Sequence, residues 1–355
     1  MKVLFYHLTA LQENHKLWEQ GMYPGHLLYG LTHLPKNGIE CIAYEIPFNP
    51  FIKRFRLSLY NTIRILFYKQ KYDAIYAVAH RGLEPIIMLR ALGLFRKPIF
   101  LWHHTAVVSH KKNVREILSS FFYRGVDRFF FFSKILRTWS IETKKVSAEK
   151  AVVIHWGADT AFYNRLENFS ENYFVSTGKA HRDYMTLIKA FEQVPFPVKI
   201  YSPSAFSKKD FGNRIDHMKQ SLPSNIVLNT TYAALQDTID AVAHSFCVLI
   251  CCLDYPYTIG LTTLVEAMAL GKPVITTDNE TFPIDVEKEG FGIKIPHGDV
   301  NAWVQAVTFL CNNPEIAGEM GQKGKALAEK EYNLERFAAE ISHEIFETMN
   351  FLQRV

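Results

Sequence analysis

Short apolar runs alternate with longer amphipathic stretches along the whole chain, and this rhythm limits the fold more than any other feature. Runs of strand length stand at Val3–Tyr6, Cys41–Tyr44, Ala74–Val78, Pro98–Trp102, Phe129–Phe132 and Val152–Ile154. Five more follow at Tyr173–Thr177, Val198–Tyr201, Ile226–Leu228, Cys247–Leu253 and Val274–Thr276. Helix-like stretches lie between them at Gly25–Leu34, Leu57–Tyr68, Leu83–Leu92, Thr186–Phe191, Ala234–Ala243 and Thr262–Leu270. Apolar strands separated by helices predict parallel, doubly wound α/β sheets. Eleven strands in 355 residues suit two sheets better than one. The seam is expected in the polar stretch Asp159–Asn172, giving domains 1–165 and 166–333 with a C-terminal segment 334–355. Beyond Asp299, a plausible N-cap, the pattern is helical: Asn301–Cys311, Pro314–Lys330 and Leu334–Met349.

Charge divides along the same line. Residues 1–150 carry 23 basic and 10 acidic side chains, and the remainder 17 and 25. A basic half joined to an acidic half points to an anionic partner for the first half only. No uncharged apolar run reaches the roughly 18 residues of a membrane-spanning helix, and Met1–Leu11 reads as a first strand, not a signal peptide. Five cysteines, three of them in the apolar run Phe246–Leu253, read as buried free thiols of a reducing cytosol. Between Lys53 and Lys71 six cations (Lys53, Arg54, Arg56, Arg64, Lys69, Lys71) interleave with large apolar side chains, and there is no acid. Such a helix suits the surface of an anionic bilayer, with a merely solvated face as the alternative; Lys111, Lys112 and Arg115 extend the patch. Nothing in the sequence points to nucleic acid.

No Gly-x-Gly-x-x-Gly follows a strand, and neither a Walker lysine nor a metal-binding Asp-x-Asp is present. Phosphate binding therefore falls to helix N-termini and basic side chains. The run Tyr257-Thr258-Ile259-Gly260-Leu261-Thr262-Thr263-Leu264-Val265-Glu266 opens a helix after a strand. The free N–H groups of Gly260, Leu261, Thr262 and Thr263 make an anion site there. Glu266, a turn further in, is within reach of hydroxyls attached to that anion; the alternative is an ordinary strand–helix unit with Glu266 in solvent.

Glu266-Ala267-Met268-Ala269-Leu270-Gly271-Lys272-Pro273-Val274-Ile275 resembles the nucleotide-sugar signature of retaining glycosyltransferase family 4, the group 1 glycosyltransferases. Val175–Asp183 with Leu187–Phe191 resembles that family's donor-domain opening. Ile154–Asp159 resembles its interdomain turn, and Gly290–Asp299 its later glycine-rich turn and helix start. The resemblance implies the GT-B architecture of two facing Rossmann-like domains, with 334–355 crossing back to the first. It also implies Lys179 and Arg182 on a diphosphate, beside Gly178. A histidine facing the reacting sugar is implied at His103 or His104, and the loop holding Gly25 beside the donor phosphates. One departure stands out: the first acid of the family's Glu-x7-Glu pair is Thr258 here. Asp254, on the same loop, is either its substitute on the sugar hydroxyls or a plain turn residue.

Together these features predict a glycosyltransferase that needs no metal or cofactor and takes a nucleoside-diphosphate sugar as donor. The expected acceptor is a glycan or lipid-linked molecule of cell-surface polysaccharide or glycolipid synthesis, met at the inner membrane face by a cytoplasmic, peripheral protein. A non-catalytic, membrane-docked relative and a sugar-nucleotide epimerase are the competing readings.

Overall fold

The computed structural model describes residues 1–46, 54–109, 114–178, 181–202, 222–231 and 233–354. The chain divides into two compact units, Met1–His155 with Leu334–Val355, and Trp156–Asn333. The first boundary thus lies ahead of the expected 165/166, because the Asp159–Asn172 stretch belongs to the second unit. Asp159 caps a short helix by accepting from the Phe162 amide at 3.0 Å, and Asn168 donates to the Leu270 carbonyl at 2.7 Å.

The first unit is built on six parallel strands: β1 (Lys2–Tyr6), β2 (Glu40–Tyr44), β3 (Ala74–Ala77), β4 (Ile99–Trp102), β5 (Arg128–Phe131) and β6 (Ala151–Val153), in the order β2-β1-β3-β4-β5-β6. Both faces of β3 and β4 are buried, as their unbroken apolar sequences require. Around the sheet lie α1 (Leu11–Glu19), α2 (Arg54–Leu66), α3 (Glu84–Ala91), α4 (Val114–Arg124) and α5 (Lys134–Glu142). The second unit begins with α6 (Thr160–Tyr163). Its strands are β7 (Phe174–Thr177), β8 (Val198–Tyr201), β9 (Ile226–Asn229), β10 (Cys247–Ile250), β11 (Val274–Thr277) and β12 (Gly292–Ile295), in the parallel order β12-β11-β10-β7-β8-β9. Its further helices are α7 (Tyr184–Phe191), α8 (Leu235–Ala243), α9 (Leu261–Ala269), α10 (Val300–Asn312) and α11 (Pro314–Lys330).

The last helix, α12 (Leu334–Arg354), packs into the first unit. Phe337 stacks on Trp102, Arg128 reaches Thr348 and Glu344, and Glu340 accepts from both the amide and Nδ1 of His155. Apolar packing and a row of polar contacts together hold this helix to β4 and β5.

All eleven expected strands form, and β12 is a twelfth, at a sheet edge, where Gly290–Asp299 suggested only a turn. The stretch Gly25–Leu34 is not a helix. Two 3-10 turns, Gly25–Leu28 and Leu34–Asn37, are separated by Tyr29 and Gly30, whose φ angles of 50° and 90° stop helical propagation. α1 precedes it instead; with only Leu11 fully buried, that helix has no apolar stripe to read. Asp299 caps α10 as expected, accepting from the Ala302 amide at 2.9 Å. The five cysteines are free, and burial pushes the Cys247 and Cys251 thiols far up from their ordinary range.

Candidate functional site

In an open parallel sheet, ligands bind beyond the carboxyl ends of the strands where the winding reverses. In the second unit that point lies between β7 and β10, because the chain winds from β7 to β9 on one side and from β10 to β12 on the other. The loops leaving these two strands are tied together. The Leu253 amide donates to the His181 carbonyl, and the Asp183 amide to the Cys251 carbonyl. Asp183 then caps α7, accepting from the Thr186 amide at 3.1 Å and its hydroxyl at 2.7 Å.

Arg182 occupies the centre of this junction, only 5% exposed. Its Nε donates to the Thr177 carbonyl at 3.1 Å, Nη1 to Cys252 Sγ at 2.9 Å and Nη2 to Thr263 Oγ1 at 3.2 Å. Burial disfavours its charge, but the Cys252 and Tyr184 groups beside it outweigh that and hold the guanidinium above its ordinary pKa. Two glycines fit around it. A Cβ on Gly178 (φ 145°) would sit 2.1 Å from Arg182 Nε, and one on Gly260 (φ 95°) would meet Ile250 at 2.3 Å and Arg182 Nη1 at 2.9 Å. Only a residue without a Cβ leaves room for the buried guanidinium at these two positions.

Gly260 is also the N-cap of α9, so the open amides of that helix begin beside the guanidinium. The Leu261 amide, expected to be free, is instead spent on the Thr258 carbonyl, because the turn before the helix closes onto it; Thr262 is half-buried, and the Thr263 hydroxyl turns inward to Arg182. Glu266 stands three residues after Thr263, and on a helix that spacing makes neighbours. It is half-buried in a depression lined by Tyr163, Thr177, Leu235, Thr238, Ile239, Val242 and Leu270. Thr177 belongs to both places: its carbonyl takes Arg182, and it lines the depression holding Glu266. Of the residues expected here, Gly178, Arg182, Gly260, Leu261, Thr262, Thr263 and Glu266 come together; Lys179 lies outside the described residues.

Asp254 is exposed and lines an adjoining open cavity of about 330 Å³ with Tyr255, Pro256, Asp278, Asn279, Glu280, Thr281 and His297. Thr258, at the position of the missing acid, is buried. Thr177, Cys252 and Tyr163 were not anticipated. The signal for Thr177 and Cys252 was their place at the ends of the two strands flanking the reversal.

In the first unit the winding reverses between β1 and β3, because the chain steps from β1 to β2 on one side and from β3 to β6 on the other. His7 follows β1, His80 follows β3, and His103 and His104 follow β4. Both ring nitrogens of His103 are engaged, Nδ1 with the Thr105 carbonyl at 2.6 Å and Nε2 with the Tyr123 hydroxyl at 3.2 Å. Burial pushes its pKa down to about 4. His104 donates from Nε2 to the Val78 carbonyl at 2.8 Å, which leaves Nδ1 as an acceptor, and burial lowers its pKa too. His7 is likewise pushed down to about 4, by burial and then by His104. Tyr29 lies against both His7 and His104. Gly25 is buried in this unit at the start of its 3-10 turn. Among the described residues no group of three His, Cys, Asp or Glu side chains is placed to hold a metal ion.

Residues 224–327, which carry Asp254, Gly260–Thr263 and Glu266, match the family model of glycosyl transferases group 1. No curated protein sequence matches the chain. Among solved structures, Anabaena HepE in complex with UDP and glucose is similar at 16% identity and a TM-score of 0.67, covering 98% of this chain and 100% of that one. Sucrose-phosphate synthase of Thermosynechococcus elongatus aligns at 17% identity and a TM-score of 0.68, over 87% of this chain and 84% of that one. A glycosyltransferase of Rickettsia africae aligns at 14% identity and a TM-score of 0.66, over 98% and 97%. The fold is GT-B.

Proposed function

We propose that the chain is a glycosyltransferase whose second unit holds a nucleoside-diphosphate sugar and whose first unit holds the acceptor. The observation that carries this is the convergence of Arg182, the α9 N-terminus and Glu266 at the winding reversal of the second sheet. The match to glycosyl transferases group 1 supports the reaction class, and the UDP in the Anabaena structure supports a uridine nucleotide.

The bond broken is the one joining the anomeric carbon to the diphosphate, and negative charge grows on the departing oxygen. Arg182 and the α9 amides stabilise that charge more in the transition state than in the bound donor, with Lys179 as a second cation. Fixed cations of this kind take the place of a metal. Glu266 accepts from ribose hydroxyls, and Asp254 from the sugar. The acceptor hydroxyl forms its bond on the same face and gives its proton to the departing phosphate, so a hexosyl group moves with retention. His104 Nδ1, left as an acceptor by the Nε2 bond to Val78, accepts from a sugar hydroxyl. The acceptor is a glycan or lipid-linked molecule of cell-surface polysaccharide or glycolipid synthesis, reached at the inner face of an anionic membrane.

The test pairs UDP binding with donor turnover. A saturating nucleotide at a hundredfold excess over Kd stabilises the folded chain by about 2.7 kcal/mol. Glu266→Ala is expected to lose that shift and donor hydrolysis while melting near the wild-type temperature. Full activity of that variant overturns the assignment. A wild-type chain that binds UDP but never hydrolyses a donor is a non-catalytic subunit, and one that returns an epimeric donor is an epimerase.

A further inference from the structure

Helix α2 is inside out. Its inward face carries Leu57 and Ile65 but also Ser58 and Asn61, all four buried. Asn61 bonds to the hydroxyls of Tyr6 and Tyr44 and to the Gly82 carbonyl. Its outward face, at helical spacing, presents Leu59, Tyr60, Ile63 and Leu66, with Phe67 just beyond its end. Ile63 is 54% and Phe67 79% exposed. A solvent-facing helix normally shows the reverse.

α4 repeats the pattern in its first turn, where Val114, Ile117 and Leu118 are all more than half exposed and Ile117 reaches 71%. The two helices lie on the same side of the sheet. β2 to β3, β3 to β4 and β4 to β5 all step in one direction, so right-handed crossovers put α2, α3 and α4 on one face, and α3 packs against both others.

Exposed cations rim the stripe. Arg56, Lys69 and Lys71 surround it, and no carboxylate occurs between Ile46 and Tyr72. Arg64 spans it by stacking on the Tyr44 ring and donating to the Tyr60 hydroxyl. We infer that the α2–α4 face of the first unit docks on an anionic bilayer. Leu59, Ile63, Leu66 and Phe67 enter the boundary between headgroups and acyl chains, and the arginine and lysines take the lipid phosphates.

The charge pattern selects this occupant. In a two-fold dimer the same patch meets itself, which would set identical cationic rims against each other. Nucleic acid matches the cations but offers nothing to aliphatic Leu59, Ile63 and Leu66. The inference names the surface behind the proposed membrane partner; it rests on that reading only for the use of a bilayer, not for its own evidence.

The full chain is tested by vesicle flotation, with phosphatidylcholine alone and with equal parts phosphatidylcholine and phosphatidylglycerol. Binding is expected only to the anionic vesicles. A double variant Ile63→Gln with Phe67→Gln is expected to weaken it at least about tenfold, or about 1.4 kcal/mol. Arg56→Gln with Lys69→Gln and Lys71→Gln is expected to weaken it as well and to flatten its salt dependence. Melting temperature and the UDP-induced shift should stay at wild-type values in both, so a failure here is distinct from failure of the transferase reading. No binding to anionic vesicles, binding untouched by the first variant, or a wild-type dimer in light scattering that the first variant dissociates, overturns the inference.

Discussion

Both sheets bury titratable groups beyond the carboxyl ends of their strands, and one keeps its charge while the others lose theirs. Beyond β7 and β10, Arg182 is almost wholly enclosed yet stays above its ordinary pKa. Beyond β1 and β4, His7 and His103 are enclosed and pushed down to about 4, so they are neutral at pH 7. Burial penalises charge in both sites. A guanidinium starts so far above neutrality that it keeps its proton, whereas an imidazole starts close enough to lose it. One sheet therefore offers a fixed positive charge, the other neutral donors and acceptors. A diphosphate suits the first and hydroxyl groups suit the second.

The largest break in that contrast is expected from Arg182→Met. The variant removes the buried cation and leaves the Thr177 carbonyl, Cys252 and Thr263 without their partner. Donor turnover should fall by about 10³-fold, the scale of losing a fixed donor to a developing anion. Stability should fall by about 2–3 kcal/mol from the polar groups left behind. Donor hydrolysis and urea unfolding read the two effects separately. Turnover within tenfold of wild type would show that the charge lies elsewhere.

The two adjacent histidines sharpen the other side. His104→Ala should cut transfer by about 10²-fold with little loss of stability, as for a group acting in general acid–base or hydrogen-bonding catalysis. His103→Asn should do the opposite, because both of its nitrogens are spent on Thr105 and Tyr123. The measurement is kcat beside melting temperature for each variant; equal effects on both quantities would erase the distinction.

Much of this was legible in the chain. Strands such as Ala74–Ala77 and Cys247–Ile250 are buried on both faces, so their apolar runs carry the signal without help from their neighbours. Glu266 and the glycine and threonines before it were legible because one helix sets their spacing. Gly25–Leu34 was misread because nothing in its composition shows that Tyr29 adopts a left-handed backbone. β12 was hidden because a four-residue edge strand with two half-buried side chains looks like a turn beside two glycines. Thr177 and Cys252 were legible as strand-end positions but not as the residues that hold Arg182. Their roles come from the pairing of two strands far apart in the sequence, and a cysteine in an apolar run reads as packing.

A smaller effect concerns pH. His103 has an ordinary pKa of 6.5 and a folded one of about 4, so between those values the unfolded chain binds the proton first. Its contribution to stability is complete above pH 6.5 and is lost as pH falls toward 4. From pH 6.5 to about pH 5 the loss is on the order of 1.5 kcal/mol for this imidazole. Thermal melting across that window should show the decline in the wild type and a shallower one in His103→Asn. A slope unchanged by the substitution would assign the decline to other groups.

The smallest expected effect tests how tightly the arginine site is built. Cys252 Sγ takes the Nη1 donor of Arg182 and reaches the Ile259 carbonyl, while its backbone pairs with Arg182 across an isolated bridge. Cys252→Ser keeps an acceptor in the same place and shortens the side chain's reach only slightly, so turnover should stay within about twofold and stability within 0.5 kcal/mol or so, roughly the scale of a neutral substitution. Cys252→Ala leaves a guanidinium donor buried and unmatched, at a cost of about 1–3 kcal/mol. The difference between the two variants, read by urea unfolding, isolates the acceptor from the packing, since both lose the sulfur. If serine and alanine destabilise equally, the thiol is only filler, and the arginine's position is fixed by Thr177, Thr263 and the two glycines alone.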